Sequence, residues 1–199
     1  MLDAPLRRIS APPLNALAAS LAQMGLGANI VTFVAFGVGI LAVIFYAFAF
    51  YGAGLTFLAL NRLLDGVDGA LARRRGVTER GEFLDAVLSY LVLAAVPFAF
   101  ALADPQGGLA AAFMILGLLV IATTDLATRN YLSDTQKARS VPHWFLLCER
   151  TEIFLIIVLM TLLPWAFSIF AYLFGALCFV TGGLRIASAL AVDHIKTPS

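Results

Sequence analysis

Long apolar runs broken by short polar, glycine- or proline-bearing segments set the pattern of this chain. The runs cover about residues 30–49, 54–65, 83–103, 109–127, 144–164 and 165–192. Most approach the roughly 20 apolar residues that an α-helix needs to cross a hydrocarbon core. The second is shorter, about a dozen positions from Gly54 to the charged Arg62 and Asp65. A helix of that kind can span only if its charged end emerges at the interface or lines a polar cavity. The segment ADPQGG makes a turn after the third run. Residues 129–143 form a polar connection carrying Arg129, Asp134, Lys137, Arg139 and His143. The pattern therefore predicts an all-α integral membrane protein of about six transmembrane helices.

Residues 1–27 read differently. Leu14, Leu17, Ala18, Leu21 and Met24 recur at helical spacing, Pro12 and Pro13 suit a helix start, and Gly25 suits a stop. This segment is expected to be an amphipathic helix lying on the membrane surface, with Arg7 and Arg8 towards lipid headgroups. Packing on the bundle as an ordinary helix is the alternative.

Composition agrees with a membrane protein. Of 199 residues, 61% are hydrophobic and 13% charged, too apolar for a soluble domain of this length. A net charge of +1 gives no sign of a nucleic-acid partner. Cys148 and Cys178 lie in apolar segments and make no disulfide framework. No cleavable signal peptide is evident. The turns near residues 50–54, 104–108 and 163–167 contain no lysine or arginine, and all 13 basic residues lie elsewhere. By the positive-inside rule, both termini and the acidic segment described next face the cytoplasm, as in a bacterial-type inner membrane.

The chemistry concentrates between Asp65 and Ser89, in DGVDGALARRRGVTERGEFLDAVLS. Asp65, Asp68 and Ala72 stand at i, i+3 and i+7, so the two carboxylates share one helix face. Gly81, Asp85 and Ser89 stand four apart on the next helix. Clustered carboxylates repel unless cations lie among them, and hard divalent ions such as Mg²⁺ or Mn²⁺ take oxygen ligands. Gly69 and Ala72 remove bulk where a base or pyrophosphate can approach the backbone. Arg73 suits a phosphate. The group reads as a divalent-metal site for a nucleotide diphosphate. Pairing of two aspartates with Arg73 and Arg80 for structure alone explains the spacing poorly. Arg74 and Arg75 fit topology or lipid headgroups better than catalysis.

At these residues the chain resembles the CDP-alcohol phosphotransferase family, whose signature is D-x2-D-G-x2-A-R-x7/8-G-x3-D-x3-D. Asp65, Asp68, Gly69, Ala72, Arg73, Gly81 and Asp85 match it, and Ser89 stands where the final aspartate is expected. The resemblance divides the chain into the helix of residues 1–27 and a six-helix transmembrane domain over 28–199. It implies transfer of a substituted phosphate, as from CDP-diacylglycerol, to an alcohol with release of CMP, in phospholipid synthesis. It also implies a homodimer. Asp65, Asp68 and Asp85 would hold one or two divalent ions, and Gly69, Ala72, Arg73 and Gly81 would contact the nucleotide. Asn29 and Thr32, in ANIVT, match part of a family segment near the nucleotide; capping the first membrane helix is their other reading.

Basic residues near the cytoplasmic side, Lys137, Arg139, Arg150 and Arg185, are candidates for an anionic acceptor. Glu149 and Glu152 can pair with Arg150 or hold an acceptor hydroxyl. Asp125 reads as an interfacial carboxylate rather than an acceptor group, Gly182 and Gly183 as sites of close helix packing, and His143 and His194 carry no assigned chemistry. In the family the last aspartate is thought to take the proton from the attacking hydroxyl. A serine there is neutral and no base near pH 7. The replacement can be engineered, another group such as Glu152 or a metal-activated hydroxide can be the base, or the protein can bind nucleotide without turnover. A small transporter using the acids as an ion site is a further reading.

Overall fold

The structure, a computed structural model, describes residues 3–131 and 150–194. Lys137, Arg139, His143, Cys148 and Glu149 lie outside the described residues, as do the side chains of Arg7, Arg8, Arg75, Arg150 and His194. Helix α1 is Asp3–Gln23, α2 Ala28–Ala47, α3 Tyr51–Arg75 and α4 Glu79–Ala103. A 3-10 turn at Pro105–Gly107, capped by Asp104, leads into α5, Gly108–Tyr131. Helix α6 is Arg150–Leu162, and α7, Phe167–His194, follows a second 3-10 turn at Pro164–Ala166. No strand occurs among the described residues. The chain divides into two compact units near Gly108.

In the first unit, α3 and α4 both pack on α2. The three meet at Gly39 of α2. A Cβ there would stand 2.6 Å from Val92 of α4 and 3.2 Å from the amide of Asn61 of α3. Asn61 reinforces the crossing by donating to the Ala35 carbonyl at 2.8 Å. Each helix ends for a local reason. The α1 stop is a Schellman motif with Gly25 at φ +81°: Leu26 N–H donates to Leu21 O and Gly25 N–H to Ala22 O. The same pattern closes α2, where Phe50 N–H reaches Phe45 O, but Ala49 takes the left-handed position at φ 60°. Gly76, at φ 96°, turns the chain between α3 and α4. Thr78 then caps α4 by accepting from Gly81 N–H, with Glu79 and Glu82 in the first turn facing the helix dipole favourably.

One local expectation is corrected: Pro12 and Pro13 lie inside α1, which begins at Asp3. Helix α3 continues to Arg75 and leaves only three residues before α4. Leucine, alanine and arginine, all good helix formers, carry α3 through its polar end. Part of the apolar face of α1 packs on α3, where Leu14, Ala18, Leu21 and Ala22 surround Val67, Ala70 and Leu71, while Leu17 and Met24 stay exposed. Gly66 accommodates this, since a Cβ there would meet Leu14 at 2.8 Å.

Among the described residues, four helical segments are long and apolar enough to cross a membrane: Ala28–Ala47, Glu79–Ala103, Pro105–Thr128 and Pro164–Ala191. Helix α3 has the length, 25 residues, but its charged end lowers its hydropathy. Helix α6 is shorter in its described part. The protein is an all-α integral membrane protein. In the second unit Gly182 sits where a Cβ would meet Val120 at 2.3 Å, so it permits the close approach of α7 to α5 expected of it; Gly183 has open space. Cys178 is buried in α7.

Candidate functional site: an acid cluster at one end of three helices

The C-terminal half of α3 and the start of α4 bring together Asp65, Asp68 and Asp85. One carboxylate oxygen from each lies within 4.8 Å of the others. Helical spacing places Asp65 and Asp68 on one face of α3, and the tight Gly76–Thr78 turn returns α4 so that Asp85 faces them. Oxygens on one octahedral Mg²⁺ or Mn²⁺ stand about 3–4 Å apart, so side-chain rotations of about 1–2 Å close the set on an ion.

The three acids differ in surroundings. Asp68 is 3% exposed, and its Oδ2 has no hydrogen-bond partner among the described residues. Thr32, at the start of α2, faces its carboxyl group. Asp65 is held on the opposite side by the Arg62 guanidinium, one turn earlier on α3. The Ser89 hydroxyl lies 3.2 Å from Asp65 Oδ2 and 3.3 Å from Asp85 Oδ1. It carries one proton and so donates to only one of them at a time.

Above the acids opens a cavity of about 530 Å³. Asn29 and Thr32 line it from α2, and Asp68, Gly69, Ala72 and Arg73 from α3. Gly81 and Asp85 complete it from α4. Gly81 leaves room for Asn29: a Cβ would meet the Asn29 amide oxygen at 3.3 Å. Asn29 and Thr32 are not caps. The N-cap of α2 is Gly27, and the Thr32 hydroxyl bonds back to Ala28 O at 3.0 Å. Arg73 stands exposed at the rim, where it can meet an anion without desolvation. Asp65 and Ser89 lie below, along a slot too narrow for a water, shared with Thr32 and Asn61.

Sequence reasoning missed Asn61 and Arg62 as members of this site. Their signal was present: they precede Asp65 by four and three residues, so they share its face, and both are polar within an apolar run. Glu82, which also lines the cavity, was missed because a glutamate in a first helical turn reads as dipole compensation. Of the acceptor candidates, Arg185 pairs with Asp125 at 3.4 Å within the second unit. Glu152 is half-buried in α6 of that unit.

The buried carboxylate oxygen of Asp68, the oxygen-only donor set and the adjoining cavity fit a hard divalent ion. A helical membrane fold with carboxylates at the mouth of a nucleotide-sized cavity defines a class, and comparison with known proteins identifies it. The chain belongs to the CDP-alcohol phosphatidyltransferase family, whose model matches residues 26–184. The family's chemistry is metal-dependent transfer in phospholipid synthesis. Over 195 residues the chain is 40% identical to the inner membrane protein YnjF of Escherichia coli (strain K12), a match covering 94% of this chain and 95% of that one. The fold is similar to that of the Mycobacterium tuberculosis phosphatidylinositol phosphate synthase PgsA1. With CDP-DAG bound, that structure gives a TM-score of 0.72 at 20% identity, over 88% of this chain and 92% of the other. In complex with manganese and citrate it gives 0.71 at 19% identity, over 89% and 88%.

Proposed function

We propose that this protein moves a phosphatidyl group from a CDP-linked lipid, CDP-diacylglycerol, to an alcohol and releases CMP. The observation that carries the reading is the cavity itself: Asp68, Gly69, Ala72, Arg73, Gly81 and Asp85, which the family signature requires at fixed gaps, all line one space of nucleotide size. Asn29 and Thr32 supply amide and hydroxyl groups for the cytidine end. The small side chains of Gly69 and Ala72 let the diphosphate lie against α3, and Arg73 meets its charge at the rim. Asp65, Asp68 and Asp85 would hold Mg²⁺ or Mn²⁺, as the manganese complex of the similar synthase suggests. Such an ion, when bound, neutralises the diphosphate and the charge that develops on the departing CMP.

In the reaction the acceptor oxygen forms a bond to the lipid-side phosphorus, the bond from that phosphorus to the CMP oxygen breaks, and the acceptor loses its proton. Ser89 occupies the position of the family's base but cannot hold that proton as a base near pH 7. Its hydroxyl is already engaged with Asp65 and Asp85, so the proton must pass to a carboxylate. Asp85 Oδ1, within 3.3 Å of Ser89 Oγ, is placed to receive it. This engagement also favours a second reading, a nucleotide-binding protein with little turnover.

The protein is proposed to act as a homodimer in a bacterial inner membrane, with the cavity and both termini cytoplasmic. The lysine- and arginine-free turns at the far end support this orientation. Labelled CMP release from CDP-diacylglycerol, measured with a panel of alcohols, tests the function. Release with at least one alcohol supports transfer. CDP binding with no release by any alcohol supports the silent reading, and ion flux without CMP release indicates a transporter.

A further inference from the structure

The acid cluster is divided into two unequal halves. Asp65 receives the Arg62 guanidinium on Oδ2, an oxygen that shares the single Ser89 proton with Asp85 Oδ1, and lies below the cavity in the narrow slot. Asp68 and Asp85 line the cavity, and Asp68 Oδ2 is buried with no hydrogen-bond partner among the described residues. The Arg62 and Asp65 side chains are 17% and 12% exposed, so the pair is largely desolvated and held firmly. Arginine keeps its proton at any accessible pH, so this is a permanent cation. Asn61, the preceding residue, anchors the same helical turn to the Ala35 carbonyl.

We propose that Arg62 is a built-in cation of this site, which occupies Asp65 Oδ2 and leaves the three carboxylates a place for a single divalent ion in the donor-free protein. The three carboxylates and the guanidinium together leave two negative charges, matched by one divalent ion. A second ion would place its charge against a largely buried guanidinium and seek an oxygen already taken by it. Arg62 is thus a positioning residue: it sets the number of ions and where they lie, and through them where the diphosphate must lie. The inference rests on the metal-dependent reading above.

Counting Mn²⁺ on the purified full-length chain in lipid nanodiscs, stripped with chelator and free of nucleotide, tests it by electron paramagnetic resonance. The wild type is expected to bind one ion per chain, with the spectrum of an isolated Mn²⁺. Asp68→Asn should weaken that site about 10–100-fold. Arg62→Gln should admit a second ion and broaden the spectrum by exchange between neighbouring ions, whereas Arg62→Lys should keep the count at one. Two coupled ions in the wild type, or one in a folded Arg62→Gln protein, would overturn the inference and leave the transferase reading intact. If Arg62→Gln does not fold, the wild-type count and spectrum decide alone. Failure of the wild type to bind Mn²⁺ at millimolar concentration, with or without CDP, would sink the metal-dependent reading itself, and the inference with it.

Discussion

The two ends of the α2–α3–α4 unit are built from the same helices and behave oppositely. At one end the α2–α3 turn is sealed by aromatic rings: Tyr46 stacks on Phe100 at 5.1 Å, Tyr51 on Phe100 at 5.3 Å, and Phe45 on Phe57 at 5.1 Å. Gly54 lets the Tyr46 ring lie across α3, since a Cβ there would touch it at 2.9 Å. At the other end the facing positions are carboxylates, small residues and the guanidiniums of Arg62 and Arg73, and the helices enclose a cavity instead of closing. Asn61 and Gly39 stand between as the waist. The difference teaches a division of labour: the packed end holds the helix angles, so that charges at the open end can be kept close without collapsing it.

That contrast can be broken or sharpened by substitution. The largest effect is expected at the open end. Ser89→Asp should raise CMP release by about 10²–10⁴-fold if a base is what the site lacks, while CDP affinity stays within a few-fold. Unchanged release would remove Ser89 from the base position. At the packed end, Phe100→Ala should lower stability by about 3–5 kcal/mol, read from thermal unfolding in detergent, with the turnover of the protein that remains folded nearly unaltered. A selective loss of turnover would show that the two ends are not separable.

Asp68→Asn should reverse that signature. It should cut turnover by about 10²–10³-fold, yet leave stability equal or higher, because it removes a buried charge that gains its partner only from an ion. A matching loss of stability without divalent ions would make Asp68 a structural residue. The smallest effect belongs to Ala49, a non-glycine residue in the left-handed region at the packed turn. Ala49→Gly should raise the unfolding temperature by the equivalent of about 1 kcal/mol or less and change no kinetic constant. A fall would mean that the turn tolerates alanine without strain.

Much of the site was legible before any coordinates. Spacing alone put Asp65 with Asp68 and Gly81 with Asp85, because a helix fixes which residues share a face. The family resemblance also marked Asn29 and Thr32, though their place on the cavity wall rather than as helix caps emerged only from the fold. The N-terminal helix shows the limit differently. Its apolar stripe was plain, but a stripe suits a lipid surface and a neighbouring helix equally well; Gly66 beside Leu14 lets part of it pack on α3, and Leu17 and Met24 stay exposed.

The sequence by itself determined the helical class, the affinity for a membrane and the identity of the acidic residues, since these follow from local period and composition. Only the tertiary structure decided how those acids are partnered. Whether a carboxylate meets a guanidinium, a hydroxyl or an open cavity depends on the rotation and crossing of helices, which packing at distant residues such as Gly39 and Phe100 sets. Asp65 and Asp68 are three residues apart on one helix and nearly alike in sequence, yet one is held by Arg62 and the other faces the cavity with an oxygen that no described residue satisfies.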